Sequence, residues 1–239
     1  MQGLAVLAFD GMLPTDALVV EARVPKWWES GLLPEELSYV ARATDKRRRE
    51  FTAGRNCVRT ALACLGLPAV AIGVGPERES LFAASVSSGI TLTAGYCAAA
   101  IVQRGDVSSI GIDAEVDATM EEGIARLIMN EAERAALRAH AHLGNVDLLA
   151  FSLKEAFYKA AYPFCRPPLG FKEVAIRLTD RGSEIEVLSP RLAADLAGQA
   201  IDARFGFYPD AFTAPLPSRS ADTRLPARTS CRHHNNPHP

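Results

Sequence analysis

The centre of the chain contains the stretch Ile110-Gly111-Ile112-Asp113-Ala114-Glu115. Its apolar residues predict a buried strand, and two carboxylates two positions apart lie at its end. Side chains at that spacing share one face of a strand, so Asp113 and Glu115 should stand side by side at a sheet edge. Like charges this close repel each other, and a divalent ion such as Mg²⁺ would compensate them. The alternative is a strand end that exposes two hydrated acids.

A second stretch, residues 151–161, consists of good helix formers and is followed by Pro163, which favours a helix end. Glu155 and Lys159 are four positions apart, so they share a face of this predicted helix. One interpretation is a surface ion pair worth about 0.3–0.5 kcal/mol. The other is a third carboxylate near the cation, with an ammonium group one turn away that can hold a phosphate.

The overall composition excludes several classes of protein. Of the 239 residues, 48% are hydrophobic, and 26 basic residues nearly balance 28 acidic ones. This composition suits a packed core and does not favour a nucleic-acid partner. We expect no membrane span, because no apolar run is long enough, and no signal peptide, because a basic region is missing ahead of the first apolar residues.

The cysteines are scattered along the chain and lack C-x-x-C spacing. This pattern predicts reduced thiols and a cytoplasmic location, and it argues against a disulfide framework or a zinc site. The positions are Cys57, Cys64, Cys97, Cys165 and Cys231.

Periodicity and turn residues predict an alternation of helices and strands. From Pro217 onward the composition changes to Ser, Arg, Pro, Asn and His, which predicts a disordered tail. The expected elements are a helix from Pro34 toward Phe51, its continuation to Leu65 with Gly66 as the cap, two strands within 87–102, an amphipathic helix within 120–143, and late strands near 174–178 and 185–188.

Four consecutive basic residues, Lys46-Arg47-Arg48-Arg49, precede the helix that ends at Leu65. Such a run is usually a solvated helix face. However, Arg47 and Arg55 are eight positions apart and therefore lie on nearly one face. Guanidinium groups at that spacing suit bidentate binding of phosphate, and both interpretations stay open.

The two carboxylate motifs together resemble those of a known family. Residues 111–115, G-I-D-A-E, followed by F-S-x-K-E-A-x-Y-K-A at 151–160, are similar to the 4′-phosphopantetheinyl transferases of the large, Sfp/EntD-like type. Residues 162–173 resemble the actinobacterial branch of that family. The resemblance covers roughly residues 5–215, and the joint motif is far more specific than either part.

This resemblance implies an α+β, pseudo-twofold fold, in which two similar halves hold the active site in the cleft between them. Residues 1–105 would form the N-terminal half and residues 106–216 the C-terminal half, with 217–239 as the tail. The internally doubled form of the family is usually monomeric, so we expect a monomer.

The resemblance also implies an activity, which is transfer of the 4′-phosphopantetheine group from coenzyme A to a serine of an apo acyl or peptidyl carrier protein. Asp113, Glu115 and Glu155 would hold Mg²⁺, and Glu155 is the candidate general base. Lys159 would steady the departing bisphosphate nucleotide, and Lys154 would assist it.

Several residues match the cofactor-binding positions of the family. Arg47 and Arg55 stand where the family contacts the adenine-nucleotide end of coenzyme A. Thr91 and Leu92 fall on the cofactor-binding strand, but Leu92 replaces a histidine that contacts a phosphate of coenzyme A.

Other departures also fall on the cofactor side. Val74 stands where related sequences often have a basic residue, and Arg78 lies close enough in sequence to compensate. Together with Leu92, this favours an alternative function: a non-catalytic relative that binds carrier proteins or other partners without efficient use of coenzyme A. A third hypothesis is an unrelated Mg²⁺-dependent phosphate enzyme.

Overall fold

A computed structural model describes residues 9, 11–22, 25–165, 169–179, 182–208 and 211–220, with the backbone alone for 208 and 211–220. Among these residues, no helix combines the length and the apolar character that a bilayer crossing requires. Cys231 and the rest of residues 221–239 lie outside the described part of the chain.

Helices and strands alternate along the chain, with short 3₁₀ turns between some of them at Ser38–Val40, Ala141–Leu143 and Phe171–Glu173. The helices are α1 (Lys26–Glu29), α2 (Pro34–Leu37), α3 (Asp45–Cys64), α4 (Glu122–Ile128), α5 (Glu131–Arg138), α6 (Val146–Ala161) and α7 (Pro190–Asp195). The strands are β1 (Leu18–Glu21), β2 (Gly73–Val74), β3 (Ser80–Leu81), β4 (Val86–Thr93), β5 (Tyr96–Gln103), β6 (Val107–Glu115), β7 (Val174–Thr179), β8 (Gly182–Val187), β9 (Gln199–Ile201), β10 (Gly206–Tyr208) and β11 (Ala211–Ser220).

The N-terminal part consists of α3 packed on an antiparallel sheet with the order β1-β5-β4. The hydroxyl of Thr44 caps α3 by accepting a hydrogen bond from the backbone N of Arg47 at 3.3 Å. Gly66 follows the helix at φ +71°, a conformation that glycine adopts at little cost. The small buried side chains of Ala53 and Cys57 let α3 lie close to the sheet.

The C-terminal part repeats this arrangement with α6 beside a sheet in the order β10-β11-β6, and β9 adds to β11. The side chain of Asn145 caps α6 by accepting a hydrogen bond from the N of Leu148 at 3.1 Å. Leu153 and Phe157 of α6 are buried with Ile176 of the β7–β8 hairpin. Each part therefore has one long helix on one antiparallel sheet.

The two sheets meet where β4 and β6 run side by side. They belong to different sheets, and hydroxyl groups of β4 receive hydrogen bonds from the backbone of β6. Ser87 Oγ accepts from the N of Ile110 at 3.1 Å, and Thr91 Oγ1 accepts from the N of Ala114 at 2.9 Å. Between them lies Gly89, where a Cβ atom would come within 2.7 Å of a backbone nitrogen of β6.

The α+β prediction is confirmed, as are the strands within 87–102, the strand that ends at Glu115 and the helix over residues 151–161, which begins earlier, at Val146. The helix expected from Pro34 toward Phe51 is interrupted instead. It ends at Leu37, and Thr44 starts a new helix.

The single helix expected within residues 120–143 is divided at Asn130. The Asn130 side chain accepts a hydrogen bond from the N of Glu133 at 2.8 Å and so begins a second helix, α5. The prediction of a disordered tail from Pro217 onward is also wrong for the first residues of that tail. Residues 217–219 pair with β6, because β11 continues to Ser220.

Candidate active site

Asp113 lies near the end of β6 and is only 4% exposed. Its Oδ1 atom receives a hydrogen bond from Lys159 Nζ at 2.6 Å, and its Oδ2 atom receives one from Ser152 Oγ at 2.9 Å. Thr91 Oγ1 donates to Oδ1 over 3.4 Å. Lys159 also donates to the carbonyl oxygen of Ile112 at 3.1 Å. The strand end and α6 are therefore tied together at this carboxylate.

The other two carboxylates of the predicted set lie in the electrostatic field of Asp113. Burial raises the pKa of Glu115 to about 7, and the charges of Asp113 and Glu155 add to that rise while Lys159 opposes it. Burial also raises the pKa of Glu155, with Lys159 opposing and Asp113 adding to the shift. Three acids thus share one nearby ammonium group, and this excess of negative charge favours a bound cation.

The acids do not form a closed metal cage. Within the described ranges, no three His, Cys, Asp or Glu side chains converge closely enough to hold an ion by themselves. Mg²⁺ usually takes only one or two protein carboxylates and completes its shell with water and phosphate oxygens. Oxygen donors with surplus negative charge suit this hard ion, so the residues that could hold it are Asp113, Glu115 and Glu155.

Two family models match successive parts of the chain. The model described as 4′-phosphopantetheinyl transferase N-terminal domain matches residues 34–102, and that of the 4′-phosphopantetheinyl transferase superfamily matches residues 109–201. The chain belongs to this superfamily. The interval between the two matches contains the turn between β5 and β6.

Curated relatives in the superfamily align over part of their length. The chain is 41% identical over 143 residues to the 4′-phosphopantetheinyl transferase Npt of Nocardia iowensis, which covers 60% of this chain and 64% of the relative. It is 38% identical over 145 residues to PptT of Mycobacterium tuberculosis, with the same two coverages. The chain therefore spans a little under two thirds of the length of these relatives.

Solved structures show a weaker likeness. A structure titled as an ACPS–CoA complex from Chronobacterium ammoniagenes is 19% identical, covers 47% of this chain and 97% of its own, and has a TM-score of 0.38. The acyl carrier protein synthase AcpS of Mycobacterium tuberculosis is 20% identical, covers 46% of this chain and 96% of its own, and has a TM-score of 0.35.

Arg55, which the family resemblance predicts to contact the cofactor, is almost fully buried at 3% exposure. Its guanidinium donates to Ser80 Oγ at 2.9 Å and to the carbonyl of Gly73 at 3.4 Å, and it lies 4.2 Å from the centre of the Phe51 ring. Burial lowers its pKa to about 10, although the charge of Glu36 opposes this shift. Its Nε–H is buried and has no hydrogen-bond partner among the described residues.

A cavity of about 400 Å³ brings together other predicted cofactor residues of this superfamily member. Arg47 and Arg78 line it, together with Val74 and the aromatic rings of Tyr39 and Phe51. Arg47 is half exposed, with its guanidinium 3.8 Å from a carboxylate oxygen of the same helix. The cavity thus combines basic groups with aromatic surface, and the Arg55 guanidinium lies over the ring of Phe51.

Leu92, in contrast, lines a second cavity of about 970 Å³ beside Trp28, Lys46, Arg49 and Tyr96. Its side chain packs against the core of the N-terminal part. The structure therefore places Leu92 and Arg47 in the linings of two different cavities.

Two of the predicted cofactor contacts are buried side chains whose hydrogens go to protein partners. Lys154 is fully buried, and its ammonium group donates to Glu133 at 2.8 Å and to the carbonyls of Ile128 and Phe171 at 2.9 Å each. An ammonium group has three hydrogens, so none is left for a cofactor. The hydroxyl of Thr91 is buried too, and its single hydrogen points to Asp113.

Sequence reasoning missed Ser152, which contacts Asp113 directly. A signal was present, because Ser152, Glu155 and Lys159 recur at i, i+3 and i+7 and so form one polar stripe along the helix. Glu133 was missed as well. It is the buried partner of Lys154, and nothing in its local sequence distinguishes it from a surface acid.

Proposed function

We propose that this protein transfers the 4′-phosphopantetheine group from coenzyme A to a serine of an apo acyl or peptidyl carrier protein, in an Mg²⁺-dependent reaction. The observation that carries the proposal is the surplus of negative charge around Asp113 in a chain of this superfamily. We also propose that the protein acts in the cytoplasm as a monomer.

In this reaction the serine oxygen forms a bond to the phosphorus that carries pantetheine, and the pyrophosphate linkage of coenzyme A breaks. A cation held by Asp113, Glu115 and Glu155 would neutralise charge on the pyrophosphate. Glu155 accepts the serine proton, directly or through a water molecule. Its raised pKa suits this task, because a general base works best when its pKa is close to the working pH.

The basic residues supply the remaining charge. Lys159 is partly exposed and reaches Asp113, so its ammonium group can stabilise the negative charge that builds on the departing adenosine bisphosphate. Arg47 and Arg78 line the same cavity and are proposed to bind the phosphates of the nucleotide. The rings of Tyr39 and Phe51 in that cavity offer a surface on which adenine can stack.

The test is a labelling assay with a fluorescent coenzyme A analogue, Mg²⁺ and several apo carrier proteins. We expect label on at least one carrier, and a loss of at least about 100-fold in rate for Glu155→Gln, because this change removes the base and a cation ligand. Glu184→Gln, at an exposed position on β8, is the matched control and should label at the normal rate. Equal labelling by the Glu155 variant would refute the assigned role.

A second candidate function is a non-catalytic relative that binds carrier proteins or partners, and Leu92 is the observation that favours it. A leucine has no hydrogen-bond donor for a phosphate, and here it packs against the core. In the same assay, carrier binding without label would support this function. A Leu92→His variant that gains labelling would show that the missing donor limits the use of coenzyme A.

A further inference from the structure

The Asp113 carboxylate is held from two sides by neutral hydroxyl groups. Thr91 comes from β4 in the N-terminal part, and Ser152 comes from α6 in the C-terminal part. Both are buried, at 1% and 0% exposure. Two structural elements that are far apart in sequence therefore contribute a hydroxyl group to the same carboxylate.

The hydrogen-bond direction at Thr91 is determined by its neighbour. Thr91 Oγ1 accepts the backbone N–H of Ala114 at 2.9 Å, which leaves its own hydrogen for Asp113 Oδ1 at 3.4 Å. A hydroxyl group has one hydrogen and two lone pairs, so it can do both at once. The backbone N–H of Ala114 thus fixes the orientation of the Thr91 hydroxyl group, so that its hydrogen faces the carboxylate.

These hydroxyls differ from Lys159 in one respect. Lys159 neutralises Asp113, whereas a hydroxyl donor orients the carboxylate and leaves its charge in place. An ionised carboxylate has about four lone-pair sites. Even with its present donors, Asp113 keeps capacity for a cation.

We propose that Thr91 and Ser152 are positioning residues that hold Asp113 in the orientation in which it binds a divalent cation. The inference rests on the proposed function. It reassigns Thr91 from cofactor contact to support of a metal ligand, and it gives Ser152 a role that its motif did not reveal. Hydrogen bonds to ligating side chains commonly change metal affinity by 10–100-fold when they are removed.

The test is titration of the full chain with Mn²⁺, followed by electron paramagnetic resonance, with and without coenzyme A. We expect Thr91→Val and Ser152→Ala each to weaken Mn²⁺ binding by about 10-fold or more. Thr91→Val keeps the shape of the side chain and loses only the hydroxyl. Thr91→Ser keeps the hydroxyl and should restore affinity to within about threefold, which a purely packing role would not produce.

Ser87→Ala is the matched control. Ser87 lies on the same strand and accepts the backbone N–H of Ile110 in the same way, but its hydroxyl partner is Ser109 and not a carboxylate. This variant should lower the thermal unfolding temperature and leave Mn²⁺ affinity unchanged. A parallel loss of affinity in Ser87→Ala would show that strand contact alone is responsible and would overturn the inference.

The remaining outcomes separate the two proposals. Unchanged Mn²⁺ affinity in both Thr91→Val and Ser152→Ala overturns the positioning role and leaves the proposed function standing. If the unaltered protein binds no Mn²⁺ either with or without coenzyme A, the proposed metal site is wrong, and this result counts against both proposals. If Thr91→Val does not fold, Ser152→Ala decides the question, with circular dichroism confirming that it is folded.

Discussion

At the scale of single residues, exposure decides what each lysine of α6 can do. Lys159 is 29% exposed and bonded to Asp113, so its ammonium group remains accessible to a phosphate. Lys154 is fully enclosed and its pKa is lowered, because burial outweighs the charge of Glu133. The same residue type therefore serves the site at one position and the core at the other.

A Lys154→Met variant should lose about 3–5 kcal/mol of unfolding free energy, because it leaves the Glu133 carboxylate buried without its ion partner. Denaturant unfolding followed by circular dichroism measures this loss. Lys172→Met, at an exposed position nearby, is the control and should change stability by less than about 0.5 kcal/mol. A loss below about 1 kcal/mol for Lys154→Met would contradict the assigned structural role.

The raised pKa of Glu115 predicts an unusual dependence of stability on pH. Its pKa is about 7 in the folded state and near 4.5 when unfolded, so the folded state binds more protons between those values. The free energy of unfolding should therefore fall as pH rises from about 4.5 to about 7. Thermal melts of the metal-free protein across this range measure the fall.

Glu115→Gln should flatten this pH dependence, because the amide does not titrate. Saturating Mg²⁺ should flatten it as well, since a bound cation favours the ionised carboxylate. Thermal melts that keep the same slope in the Glu115 variant would show that this residue is not the source.

At the scale of secondary-structure elements, α6 contacts the site and the core with different faces. Ser152, Glu155 and Lys159 form the stripe toward β6, while Lys154 reaches α5 and the segment before β7. The approach to β6 depends on Gly111. A Cβ atom there would lie 2.0 Å from the carbonyl oxygen of Ala156.

Gly111→Ala should therefore force α6 and β6 apart. We expect the free energy of unfolding to fall by an amount at the upper end of the range of about 1–3 kcal/mol. The reason is that the clashing atom belongs to the backbone and has little freedom to move. Denaturant unfolding measures the loss. Gly123→Ala is the control: no atom in the described part of the chain lies within 4 Å of its Cβ position, and its helical setting predicts a change within about 1 kcal/mol, toward stability. Equal stability of the two variants would contradict the close contact.

At the scale of the whole molecule, the candidate site depends on how the two parts meet. Thr91 belongs to the N-terminal part and Asp113 to the C-terminal part, and they touch because Gly89 lets β4 and β6 come close. At this junction, backbone N–H groups of β6 donate to side-chain hydroxyl groups of β4, which replace the backbone-to-backbone hydrogen bonds of a continuous sheet. A shift of one sheet against the other would therefore change the surroundings of Asp113.

Much of this protein was determined by its sequence alone. The α+β class follows from the resemblance to the family. The buried strand that ends in Asp113 and Glu115 and the helix that carries Glu155 and Lys159 follow from periodicity, helix-end residues and short motifs. These features depend on neighbours in the chain, so local patterns predict them.

Only the tertiary structure showed the buried partners of Lys154, Thr91 and Ser152. Each depends on a partner far away in sequence: Glu133 and two carbonyls for Lys154, and Asp113 for the two hydroxyls. Whether a polar side chain faces solvent or a buried partner is set by packing between elements. A local sequence pattern does not predict that packing. For this reason, buried and functional polar residues cannot be distinguished in the sequence.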